Sequence, residues 1–285
     1  MQFLLLTILM SSILYINFRF FGRFGIDTLQ AVGTNYWVCI LTGLLFMGEV
    51  PNLQELLSFS WSPWALLLGF LFFFIFFLTG LATQKLGMTV ASISTKLSLV
   101  VPVCVGFLIT GFIDFPGWKL VLGILLSLVS IVLVSSEKEI DSHVRSMLSW
   151  LLPLVIFLGC GLTDTLSMVV QAEGVSEAQS GWFAWLAFAG AAVTGALAIG
   201  AIAIFKGIKP ELKNVVGGIL LGIPNYFSYY FLIKCLHQFG DANFMVFPLA
   251  NLGVIVLNSL VAFTETIPKN SKCHQTVKHN NSEVG

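Results

Sequence analysis

The sequence predicts an all-α integral membrane protein: an inverted-repeat helical bundle with nine transmembrane helices, five plus four, of an expected ten. Three observations predict it. Apolar side chains make up 57% of the 285 residues and charged ones only 10%, whereas soluble chains carry about 25% charged residues. The apolar residues fall into nine runs of the kind that crosses a hydrocarbon core, which takes about 20 residues per helix. The longest polar link, EKEIDSHVR at 137–145, lies near the midpoint and divides five runs from four. A repeat with an odd number of spans enters the membrane in opposite orientations, a common plan of secondary transporters.

The first run, 2–18, is read as a retained span. It has no positive n-region, its first basic residue is Arg19, and no A-x-A-like cleavage site follows. The other runs are 28–47, 63–85, 88–110, 118–135, 149–170, 181–205, 214–236 and 242–264. Trp61, Trp64, Trp118, Trp150, Trp182 and Trp185 sit at run ends, where an indole prefers the headgroup level. Gly87 stands almost alone between the third and fourth runs. The organisation is therefore a first repeat at 1–135, a polar loop at 136–147, a second repeat at 148–265 and a polar, disordered tail at 266–285.

Shifting the chain by 153 residues aligns Leu67, Leu68, Gly69, Phe74, Gly87, Leu99, Val101 and Val103 with Leu220, Leu221, Gly222, Phe227, Gly240, Leu252, Val254 and Val256. The aligned glycines and the hydropathy shape carry more than the identities do. After Thr264 the halves part. The first continues into KLVLGILLSLVSIVLVSS, while the second continues into a polar segment that cannot span. The tenth helix is thus expected to be absent.

Lys plus Arg equals Asp plus Glu at 14 each, so the basic excess that nucleic-acid binding needs is missing. The five cysteines are scattered singly, with no C-x-x-C, which argues against a disulfide framework or zinc site. Cys273, His274 and His279 match none of the usual zinc spacings, and no metal or cofactor is expected. The triplet Asn280-Asn281-Ser282 is a formal glycosylation acceptor of a kind common by chance. There is no G-x-S-x-G, H-E-x-x-H or P-loop, so the chain is not expected to be an enzyme.

Charged residues inside a span are costly and usually face a cavity or a partner. Lys96 lies about 12 Å into the fourth run at 1.5 Å per residue. It is either a snorkelling cation or one that fixes an anionic substrate group or a carboxylate. Asp164, well inside the sixth run, is either a structural ion-pair member or a proton- or cation-responsive group. Asn35, Asn225, Asn251 and Asn258 are amides at membrane depth, which commonly join helices. Asn225 stands out because Pro224 precedes it and removes a backbone donor. Tyr226, Tyr229 and Tyr230 follow at helical spacing. Pro102 and Pro248 interrupt the fourth and ninth runs similarly. Ala187, Ala191 and Gly195, with Gly218-x-x-x-Gly222, mark close helix packing.

GTNYWVC in the second run, SISTKLSLVVPV in the fourth and VFPLANLGVIVLNSLVAF in the ninth resemble the drug/metabolite transporter superfamily, EamA-like branch, over about residues 1–265. The resemblance implies a permease of the inner, or plasma, membrane that moves a small organic solute (a metabolite, amino acid or drug) by alternating access. It implies that Lys96, Asn35, Asn225, Tyr226, Asn251 and Asp164 lie on cavity-lining helices. The expected partners are that solute and the lipid bilayer, with no nucleic acid and with a homodimer kept open. The alternatives are a truncated carrier without activity and a membrane enzyme.

Numbering connections from the N-terminus, the odd ones hold Arg19, Arg23, Lys85, Lys138, Arg145, Lys206, Lys209, Lys213, Lys269, Lys272 and Lys278, and the even ones only Lys119 and Lys234. Basic residues near span ends are retained in the cytoplasm. The bias therefore predicts an external N-terminus, against the cytoplasmic one that the resemblance implies.

Overall fold

The computed structural model describes residues 2–47, 52–102, 148–176, 179–207, 211–239 and 246–264, with single positions 105, 118, 122, 126, 129 and 209. The fifth run, the central polar link and the tail thus lie almost wholly outside the described residues. What is described is helical: α1 (Gln2–Phe24), α2 (Thr28–Met47), α3 (Leu53–Ser58), α4 (Ser62–Lys85), α5 (Met88–Leu97), α6 (Leu148–Gly174), α7 (Ser180–Lys206), α8 (Leu212–Phe239) and α9 (Val246–Thr264). Among them α1, α2, α4, α7 and α8 are long and apolar enough to cross a membrane. The chain is a helical protein of multi-pass membrane type.

The helices start and stop for local reasons. Pro63 occupies the first turn of α4, where its missing N–H costs nothing. Gly87, at φ 96°, turns the chain between α4 and α5, a conformation that side chains with a Cβ avoid. Gly207, at φ 63°, closes α7, and its N–H reaches the Ala203 carbonyl, a left-handed helix stop. The six-residue α3 was not expected from the sequence. Asn52 caps it by accepting from the Gln54 N–H, and its one buried side chain is Leu56.

Helix α2 packs against α7 and α8, α4 against α6 and α7, α1 against α8 and α9, and α5 against α4, α6 and α9. Two crossings are close because glycine faces backbone. A methyl group on Gly69 of α4 would stand 2.7 Å from the Ala191 amide nitrogen of α7, and one on Gly222 of α8 would stand 2.7 Å from the Asn35 carbonyl oxygen of α2. The largest core, Phe18, Phe21, Tyr36, Phe73 and Phe188 with smaller neighbours, fills the space between α1, α2, α4 and α7. Outward stripes stay apolar, as lipid requires. Trp37, Leu41 and Leu45 on α2, and Leu252, Val256, Leu260 and Phe263 on α9, are exposed.

Hydrogen bonds sort the helix ends into two faces. Gln84, at the end of α4, donates to Thr28 at the start of α2 (2.6 Å). Asn214, at the start of α8, donates to Gln30 of α2 (2.8 Å). The end of α4 and the beginning of α8 therefore share one face, and these helices run in opposite directions. Arg23, Lys85, Lys209 and Lys213 are exposed near this basic face. The opposite face carries α3, Trp61 and the α6–α7 connection, with Leu56 and Trp61 in one cluster with Phe183. A cysteine at position 52, on that opposite face, is expected to react with an impermeant thiol reagent on intact cells, while one at position 140, outside the described residues, is spared. The reverse pattern would overturn the orientation drawn from the charge bias.

Candidate functional site

The site begins where α5 fails. Its α-helix runs from Met88 to Leu97, turns at 98–99 and resumes at 100, one turn before Pro102, whose ring removes a donor and crowds the carbonyl four residues back. The interruption concentrates polar groups. Ser98, fully buried, donates to the Thr95 carbonyl at 2.6 Å and lies 3.4 Å from Asp164 Oδ2 on α6. Asn251 on α9 donates to the Lys96 carbonyl at 3.3 Å, next to the turn. The Tyr15 hydroxyl from α1 pairs with Thr95. Helices α1, α6 and α9 thus converge on residues 95–98.

Lys96 and Asp164, placed 68 residues apart in sequence, lie on the packed helices α5 and α6, with Ser98, two residues after Lys96, reaching the Asp164 carboxylate. Cys160 lies one helical turn before Asp164 on α6. Lys96 is half-buried and Asp164 is exposed. A cation and an anion on different helices, each beside hydroxyl or amide groups, can hold a small charged solute or exchange a proton with it.

The other sequence-selected residues form a second cluster between α2 and α8. Asn225 Nδ2 donates to Asn35 Oδ1 at 3.3 Å, and the Cys39 thiol points at the same oxygen and at the Gly222 carbonyl (3.4 Å). Asn35 has no exposed surface, so it serves the helix contact and does not itself face a reachable space. Its Nδ2 has no partner among the described residues. Asn225 and Tyr226 are half-buried, and Tyr226 stacks on Tyr230 with ring centroids 6.2 Å apart. Helix α8 continues through Pro224. The carbonyl that the proline leaves free, that of Leu220, accepts Asn17 Nδ2 from α1 at 2.7 Å.

Of the residues selected from the sequence, the structure places Lys96, Asp164 and Asn251 around residues 95–98 and Asn35, Asn225 and Tyr226 in the separate α2–α8 cluster. Sequence reasoning missed Tyr15, Thr95, Ser98, Cys160 and Asn17. Ser98 was visible as a serine one turn before a proline, and Asn17 as an amide at the edge of the first run. Nothing local announced Tyr15, which resembles any other aromatic in an apolar helix.

Similarity to known proteins adds little chemistry. A chain from Haemophilus influenzae described as an uncharacterized protein is 25% identical over 256 residues, covering 84% of this chain and 82% of its own. No family model matches, and no solved structure matches.

Proposed function

We propose that the chain is a secondary carrier, built as an inverted repeat, that moves a small organic solute across the membrane by alternating access. The observation that carries this reading is that the helix contacts recur under the same shift of 153 residues found in the sequence. Gly69 of α4 faces Ala187 and Ala191 of α7, and its counterpart Gly222 of α8 faces Asn35 and Val38 of α2, where Thr34 and Val38 are the counterparts of Ala187 and Ala191. Gly161 of α6 faces Val101, and Ile8 of α1, its counterpart, faces Gly253 beside Val254, the counterpart of Val101. The related helices α4 and α8 run in opposite directions. Contacts that repeat with reversed polarity support an inverted duplication, in which two bundles rock about a central site.

Within that frame Lys96 and Asp164 are the substrate-binding or coupling pair. Their positions in the other half are Leu249 and Ser11, so the charges occur once and not twice. The resemblance to the drug/metabolite transporter superfamily leads to the same class, with the inner membrane as the site of action and no reaction assigned. Purified protein is expected to gain thermal stability with a subset of small metabolites in a panel, because a ligand bound only by the folded state stabilises it in proportion to its occupancy. No shift with any solute, at concentrations up to millimolar, would count against a binding cavity. Asp164→Asn is expected to change the pH dependence of uptake, since an amide cannot exchange the proton. An unaltered profile would remove Asp164 from coupling.

A further inference from the structure

We infer that Gln30 with Asn214, and Trp61 with Phe183, are the two gates of the carrier, one at each membrane face. The inference rests on the carrier reading and extends it to residues that neither charge nor proline distinguishes.

At the basic face, Gln30 and Asn214 are almost fully buried and bind the α1–α2 corner to the α7–α8 corner. Gln30 Oε1 accepts from Asn214 Nδ2 at 2.8 Å and from the Glu211 N–H at 3.2 Å, while its Nε2 donates to the Lys209 carbonyl at 3.4 Å. Asn214 Oδ1 accepts from the Asp27 N–H at 2.9 Å, and Asp27 Oδ1 accepts from the Gln30 N–H at 2.8 Å. Every side-chain oxygen and nitrogen of Gln30 and Asn214 is engaged across this junction.

The shift of 153 residues takes Gln30 to Phe183 and Trp61 to Asn214. The polar pair therefore has a counterpart pair, Phe183 with Trp61, and these two are in contact at the opposite face, ring centroids 5.8 Å apart and edge to face. Lys209, whose carbonyl takes part in the polar junction, has Leu56 as its counterpart, and Leu56 is buried in the same cluster as Trp61 and Phe183. The indole N–H of Trp61 has no partner among the described residues. One position in the repeat thus closes each face, by hydrogen bonds on one side and by a dry aromatic contact on the other. A contact that joins the two halves at both ends of a rocking bundle has to break at one end whenever that end opens.

The experiment uses the full chain in cells and in inverted vesicles. Cys39, Cys104, Cys235 and Cys273 are replaced by alanine and Cys160 is kept as the reporter beside the Lys96–Asp164 pair. Gln30→Cys with Asn214→Cys, or Trp61→Cys with Phe183→Cys, is oxidised with copper phenanthroline. Labelling of Cys160 by an impermeant methanethiosulfonate is then read by mass spectrometry of its peptide. Without a cross-link, Cys160 is expected to react from both faces. The 30–214 cross-link should leave reaction only from the Trp61 face, and the 61–183 cross-link only from the basic face, each reversed by dithiothreitol. Labelling from both faces that ignores the cross-links overturns the gates and leaves the carrier reading standing. Labelling from one face or neither before any cross-link overturns the carrier reading itself. Should a cysteine pair fail to accumulate, Gln30→Ala with Asn214→Ala is expected to speed labelling from the basic face by about fivefold or more, since one net hydrogen bond alone accounts for about fivefold. An unchanged rate overturns the polar gate.

Discussion

Lys96→Met is expected to abolish solute uptake while the protein still accumulates in the membrane. Methionine matches the length and apolar stem of lysine, so the packing of residues 95–98 against α1, α6 and α9 survives. The Asn251 bond is made to the Lys96 carbonyl and does not need the side chain. What is lost is the positive charge, and with it, on the carrier reading, the partner of an anionic solute group. A hydrogen bond to a charged group contributes about 1.5–3 kcal/mol, a factor of about 10 to 100 in affinity for such a solute. Arginine should restore charge without restoring transport, because a planar guanidinium differs in shape from an ammonium. Wild-type kinetics in the methionine variant would return Lys96 to a cation that merely extends its head toward the interface.

Gly69→Val and Gly222→Val should each prevent recovery of folded, monodisperse protein. At Gly69 the atoms in the way belong to backbone, and at Gly222 they are the Asn35 carbonyl oxygen and the Val38 Cβ, which is fixed to its backbone, so neither obstacle can rotate aside. Overpacking of a close-packed core costs about 1–3 kcal/mol even where side chains yield, and here two helices must separate. Gly200 is the control, since a methyl group there meets nothing within 4 Å. Gly200→Ala should be neutral or stabilising by up to about 1 kcal/mol, the helix-propensity difference between the two residues. Detergent extraction followed by size-exclusion chromatography and thermal melting separates the cases. Equal behaviour of all three variants would show that the α4–α7 and α2–α8 contacts are not as close as described.

Much of the architecture was legible because lipid imposes a simple pattern. The runs at 28–47, 63–85 and 181–205 coincide with α2, α4 and α7 within one residue at each end, since glycine or proline stands beside their ends. The first run stops at 18 on hydropathy, yet α1 continues to Phe24. Asn17 is therefore interior to the helix, where its amide meets a carbonyl of α8. Helix α3 was invisible, because six residues give no periodicity to read. Lys96 and Asp164 could each be selected as charges out of place, but their meeting depends on the α5–α6 contact, which neither neighbourhood encodes. Asn35 shows the converse. The sequence reading put Asn35 among the cavity-lining residues, but the close approach of Gly222 leaves it no exposed surface.

The pairing of Gln30 with Phe183, and of Trp61 with Asn214, has one more consequence. Two inverted copies with identical ends would make a carrier indifferent to direction, with equal resting occupancy facing either way. Here the ends differ. Water can replace the hydrogen bonds of Gln30 and Asn214 when they part, so the net loss is about 1 kcal/mol per bond. Water offers Trp61 and Phe183 little, and full exposure of such side chains costs roughly 1.5–3 kcal/mol each. Four such bonds cross the polar junction, so the two ends hold with comparable strength but by different forces: on the carrier reading the basic end yields to competing hydrogen-bonding groups, and the aromatic end to apolar surface that a solute brings to it.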